Sequence, residues 1–129
     1  MLRDNLLHVE NLIADWAHKL RINDWDIRYA HNFELEDKDS EIRILRHLKA
    51  AQIALDCDMP DDQVDLMIVH ELLHLVLSEV YDVALEMADM EHFTHDNEER
   101  LCNLLAEILT NKHPRVWGKH AEELPAFAA

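Results

Sequence analysis

The stretch Leu66-Met67-Ile68-Val69-His70-Glu71-Leu72-Leu73-His74-Leu75-Val76-Leu77 decides how this chain is read. All but three of its residues are apolar, and the three exceptions are His, Glu and His. Just before it, Asp58-Met59-Pro60-Asp61-Asp62 is a loop that opens a helix. Proline suits a first helical turn, and aspartates there favour the positive end of the helix dipole. Val64, Ile68, Leu72, Leu75 and Val76 then predict a helix to about Tyr81. Burying two imidazoles and a carboxyl in so apolar a run costs free energy unless each group is paired.

On a helix, residues four apart lie one turn apart on one face, so His70 and His74 can share one cation. Glu71 sits about 100° further round and can reach a water on that cation. Zinc would bring the pKa of such a water from near 16 to about 7, within range of a carboxylate base, and would polarise a carbonyl. Chance matters in a chain with 10 histidines and 13 glutamates among 129 residues. The His-Glu-x-x-His pattern is expected there roughly 0.08 times by accident, few enough to treat it as a signal.

Working outward toward the N-terminus, Ala51, Ile53 and Leu55 alternate with Gln52, Ala54 and Asp56. With Ile42, Ile44, Leu45 and Leu48 before them, they predict one or two strands, with a helical turn as the alternative for the first part. The polar run from Glu34 to Glu41 reads as a turn. Trp25, Ile27 and Tyr29 alternate with polar neighbours and predict a half-buried strand. Leu2, Leu6, Val9, Ile13, Trp16 and Leu20 form one stripe of a helix from about Asp4 to Leu20. Toward the C-terminus, Asp96 is a candidate cap for a further helix with Leu101, Leu104, Leu105, Ile108 and Leu109 as its apolar face. Pro114 stops that helix. The order is helix, small sheet, motif helix, connector, helix and tail: an α+β domain over residues 1–118, with a loose tail at 119–129. Trp16 and Trp25 read as core anchors and Trp117 as an exposed tail residue. Met87 and Met90 read as core filling, with a lid over the cleft as the alternative.

The net charge of −15, from 12 basic and 27 acidic residues, repels nucleic-acid phosphates and anionic lipid. No nucleic-acid or membrane partner is expected. No apolar run reaches the length of a membrane span, and the first residues do not form a secretory leader, so the expected compartment is the cytoplasm. Cys57 and Cys102 then read as free, buried thiols. Asp56, Asp58, Asp61, Asp62 and Asp65 lack the glycine and terminal glutamate of a calcium loop.

A catalytic zinc site takes three protein ligands and keeps one position open. The extended pattern with a third histidine would need Gly at 77 and His at 80, where this chain has Leu77 and Val80. The candidates are Glu99, Glu98, His92 and His95. Glu99 is preferred because Asn103, one turn on, can orient a ligand histidine.

The segments His70-Glu71-Leu72-Leu73-His74 and Glu99-Arg100-Leu101-Cys102-Asn103-Leu104-Leu105-Ala106 resemble the gluzincin metallopeptidases, in particular the minigluzincins. The second segment is similar to the Glu-bearing helix of ImmA/IrrE-like peptidases, although Ile108-Leu109-Thr110 departs from that helix's usual ending. The resemblance implies a minimal zincin-like domain that holds Zn2+. It also implies that Ala51 to Asp56 is the sheet edge beside the cleft, pairing with an extended peptide. No residue has a spacing argument as oxyanion stabiliser; Tyr81 and His95 are the candidates, with His92 and His113 behind them.

The function expected is a zinc-dependent metallopeptidase-like hydrolase acting on a polypeptide substrate or a regulatory protein. His70, His74 and Glu99 hold the metal, Glu71 is the catalytic base and Asn103 supports the ligands. The alternative is a non-catalytic, zinc-stabilised interaction module of phage or bacterial regulatory origin. A third reading is a subunit of a larger assembly, recruited through its acidic face.

Overall fold

A computed structural model describes residues 2–31, 35, 38–88, 95–115 and 117, with the backbone alone for 80–88 and 95–96. The elements are α1 (Leu6–Lys19), β1 (Asp26–Tyr29), β2 (Ser40–Leu45), β3 (Ala50–Leu55), α2 (Asp61–Ala88) and α3 (His95–Thr110). The architecture is the expected α+β one, with an N-terminal helix and a small mixed sheet. The proposed loose tail and Met90 lie outside the described residues, as does the side chain of Met87.

Asn5 caps α1, its side chain accepting from the His8 amide at 3.1 Å. Val9, Ile13 and Ala17 recur every four residues and are buried, with Trp16 and Leu20 half-buried beside them. Leu6, expected in that stripe, is exposed. Two indoles fasten the N-terminal half to α2: Trp16 Nε1 donates to Asp65, and Trp25 Nε1 donates to Glu79 at 2.7 Å.

The apolar region before the motif resolves into a hairpin. A short turn at Arg46–Leu48 and a left-handed Lys49 (φ 48°) join β2 to β3, setting Ile42 opposite Ile53 and Leu45 opposite Ala50. β1 pairs with β3 in parallel, so the sheet order is β1-β3-β2. The segment expected at the sheet edge is therefore its centre. β3 has neighbours on both sides, and Ala51, Ile53, Ala54 and Leu55 are buried. The edge beside the cleft is β2. Its first two residues, Ser40 and Glu41, fell within the run read as a turn.

α2 is packed by the sheet, α1 and α3, which is why its sequence is apolar on every side. Val64, Leu66, Ile68, Val69, Leu72 and Leu75 are completely enclosed. It continues past Tyr81 to Ala88, because 82–88 contains no Gly or Pro and several good helix formers.

α3 departs most from expectation. It starts at His95, so Asp96 lies in its first turn and does not cap it. Its packed face is Cys102 and Ala106, both buried, with Leu105 half-buried. Leu104, Ile108 and Leu109, expected in the core, are exposed. Small residues let α3 approach α2 closely, and the bulky ones are turned away.

Asn111, left-handed at φ 54°, ends α3, and the chain returns across the start of α2. There the buried Gln63 donates to the His113 carbonyl at 3.4 Å and accepts from the Arg115 amide at 3.3 Å. Trp117, expected to be exposed, is 7% exposed, and its Nε1 donates to Asp56 at 3.2 Å. His113, Arg115 and Trp117 thus all hold to the domain. Of the two thiols, Cys102 is buried, and burial pushes it up to about 12. Cys57 is exposed, contrary to expectation. No helix among the described residues is long and apolar enough to cross a membrane.

Candidate metal centre

One turn of α2 carries His70, Glu71 and His74, all buried, in a grouping that can hold a metal ion. The two imidazoles meet edge to face with their Nε2 atoms 3.3 Å apart. α3 crosses this turn and delivers Glu99. Its Oε1 is 2.6 Å from His74 Nε2 and 3.4 Å from His70 Nε2. Glu71 Oε1 lies 3.8 Å from His70 Nε2 and accepts from the Ser40 hydroxyl of β2 at 2.9 Å.

The neighbouring Glu98 faces the opposite edge of the same ring, with Oε1 3.0 Å from His74 Nδ1. A carboxylate there keeps the proton on Nδ1 and turns the Nε2 lone pair toward Glu99 and His70. Two imidazole nitrogens and a carboxylate oxygen then face one another, an arrangement that is repulsive without a cation among them. Ligands of a tetrahedral zinc, at about 2.05 Å from the metal, stand roughly 3.3 Å apart. Two of the three separations match that spacing. The third, 2.6 Å, has the length of a charge-assisted hydrogen bond, so a proton on Nε2 can serve as the cation until a metal displaces it.

The electrostatics agree with this arrangement. Burial is the largest influence on all four groups. It lowers the His70 pKa, a net effect that survives the pull of Glu99. For His74 burial is outweighed by Glu98, Glu71 and Glu99, and the pKa rises. For Glu99 burial is outweighed by the two imidazoles, and the pKa falls. Glu71 is pushed up to about 7 by burial, against His74 and Ser40.

The expected supporting residue, Asn103, lines the same cleft, and its amide weakly favours the charged form of His70. No hydrogen bond of ordinary geometry completes the pair, because the buried His70 Nδ1 has no partner among the described residues. Glu98, weighed from the sequence as an alternative ligand, is instead the side chain set against His74 Nδ1. Ser40 was missed altogether. Carrying the two-residue alternation back from Ile42 and Ile44 would have placed it on the face toward α2. His113 is exposed on the C-terminal segment, 4.0 Å from Glu107. The side chains of Tyr81 and His95, and all of His92, lie outside the described residues.

The group opens into a cleft of about 900 Å³. One wall is Ser40, Glu41, Ile42 and Ile44 of β2, the other is Glu98, Glu99 and Asn103 of α3, and Pro114, Arg115 and Trp117 close one end. A second acidic grouping, Asp56, Cys57 and Asp58, lies apart from it on a turn where both Asp56 oxygens are already engaged.

Replacing Glu98 with alanine tests its position against His74. Zinc affinity, measured by competition with a chromophoric chelator, is expected to fall about 10- to 100-fold. The melting temperature without zinc should move little, since the side chain is partly exposed. Undiminished affinity would show that the 3.0 Å contact does not orient the ring.

In comparisons with known proteins, no family model, no curated protein and no solved structure matches the chain. The functional reading therefore rests on the geometry of this site.

Proposed function

We propose that this chain is a zinc-dependent peptidase-like hydrolase, with His70, His74 and Glu99 holding the metal and Glu71 acting as general base. The observation that carries the proposal is the convergence of two buried imidazoles and a carboxylate from a second helix, beside a further buried carboxyl, on the floor of an open cleft.

Zinc in this site supplies Lewis acidity toward water and toward a scissile carbonyl. Glu71 takes a proton from water and returns it to the leaving amine nitrogen. Without metal, burial raises its pKa to about 7, and a bound cation would draw it back down, so the carboxylate form that acts as base is favoured near neutral pH. The Ser40 hydroxyl donates to Oε1 of Glu71, the oxygen that faces His70, and so fixes the carboxyl beside the metal ligands. Glu98 keeps His74 in the tautomer that presents Nε2.

Polypeptide is the favoured substrate because the wall of the cleft is an edge strand. β2 has a strand partner on one side only among the described residues, and Ile42 and Ile44 line the cleft beside the metal ligands. An extended peptide can pair with β2 and set its carbonyls over the site.

The test compares wild type with Glu71→Gln, both zinc-loaded, on a broad peptide library followed by mass spectrometry. Equal zinc content, equal melting temperature and a turnover at least about 100-fold lower in the variant are expected. A wild type that holds zinc but cleaves nothing would sink the catalytic reading in favour of a zinc-stabilised interaction module.

A further inference from the structure

Three bulky residues of α3 that the leucine spacing assigns to the core lie at the surface, and two of them belong to one seam. Leu104 is 52% and Ile108 64% exposed, and half-buried Leu101 continues the row. At 100° per residue Leu104 points about 160° away from both Cys102 and Ala106, the residues packed on α2. The seam therefore lies opposite the α2 contact and apart from the cleft-lining Glu99 and Asn103.

Spacings of three and four place Leu101, Leu104 and Ile108 at the core positions of a two-helix interface. Arg100 and Glu107 are seven residues apart, so both flank the seam on the same side. Helices running in the same direction bring opposite flanks together. Antiparallel helices related by a two-fold axis bring equivalent flanks together. A two-fold near residues 103 and 104 would set Arg100 of each chain beside Glu107 of the other, an isologous contact in which each pair occurs twice. The charge pattern thus fits a second copy of this helix in one orientation.

We propose that α3 is the interface of an antiparallel homodimer, built on Leu101, Leu104 and Ile108 and bordered by two reciprocal Arg100–Glu107 ion pairs. The cleft and its metal ligands remain open in this dimer. The net charge of −15 per chain opposes association at long range, so the dimer forms more readily at moderate than at very low ionic strength.

Sedimentation velocity over a concentration series tests the interface on the full chain. Wild type is expected to show a reversible monomer–dimer equilibrium. Leu104→Lys should remain monomeric with unchanged zinc affinity, which also shows that it is folded. Arg100→Glu and Glu107→Arg should each weaken the dimer about tenfold, because each turns two attractions into two repulsions. The double variant Arg100→Glu/Glu107→Arg should recover most of that loss. A wild type monomeric at every concentration overturns the proposal, whatever covers α3, the chain's own residues 118–129 included. A double variant as weak as the singles overturns the antiparallel arrangement. None of these outcomes depends on peptide hydrolysis, so the dimer and the enzymatic reading can fail separately.

Discussion

Alanine at position 74 is expected to weaken zinc binding at least about a thousandfold. Zinc sites with apparent binding energies of roughly 10–16 kcal/mol draw several kcal/mol from each ligand. His74 is also the ring against which both α3 carboxylates are set, at 3.0 Å and 2.6 Å. Its loss leaves Glu98 and Glu99 side by side without their common partner. Zinc should raise the melting temperature of wild type through its preference for the folded state. At a hundred times the dissociation constant that is about 2.7 kcal/mol, or roughly 8–11 °C for a domain of this size. In His74→Ala the rise should vanish at the same zinc concentration. His113→Ala, at an exposed histidine, should keep it in full. An equal rise in His74→Ala and wild type would place the metal elsewhere and remove the basis of the proposed chemistry.

The second large effect is at the far end of the cleft. Trp117→Ala is expected to destabilise the fold by about 3–5 kcal/mol, the usual cost of emptying a large buried aromatic site. The indole is enclosed by the core, and Asp56 loses the N–H it accepts from. The segment it anchors runs back over α2 through Gln63 and the Arg115–Asp62 ion pair, so loosening it also opens the end wall of the cleft. Urea unfolding should show a lower midpoint with little change in slope. Trp117→Phe should recover much of the loss, because it restores volume but not the hydrogen bond. A variant within 1 kcal/mol of wild type would mean that this indole does not close the core.

Both experiments bear on how far the sequence could be read unaided. The motif helix, the N-terminal helix and the strand at Ile27 were legible because apolar residues at fixed spacing report the period of the backbone. The shared face of His70 and His74 follows from helix geometry alone, and Glu99 was reached by pairing it with Asn103. Which strand lies at the sheet edge was not legible: parallel pairing of β1 with β3 puts the third strand in the middle. The leucines of α3 misled because an apolar stripe says that a face avoids water, not which neighbour covers it. Close approach to α2 selected Cys102 and Ala106 instead.

By itself, then, the order of residues determined an α+β chain with a metal-binding pattern inside its most apolar helix. Helical and strand periods are local properties, set by each residue and its near neighbours. Tertiary structure alone decided that Glu98 meets the back of His74, that Ser40 holds Glu71 and that Trp117 closes the core. These contacts join residues from 24 to 61 positions apart. Such pairs meet only after the hydrophobic core has fixed the angle at which helices and sheet cross, and no spacing along the chain encodes that angle.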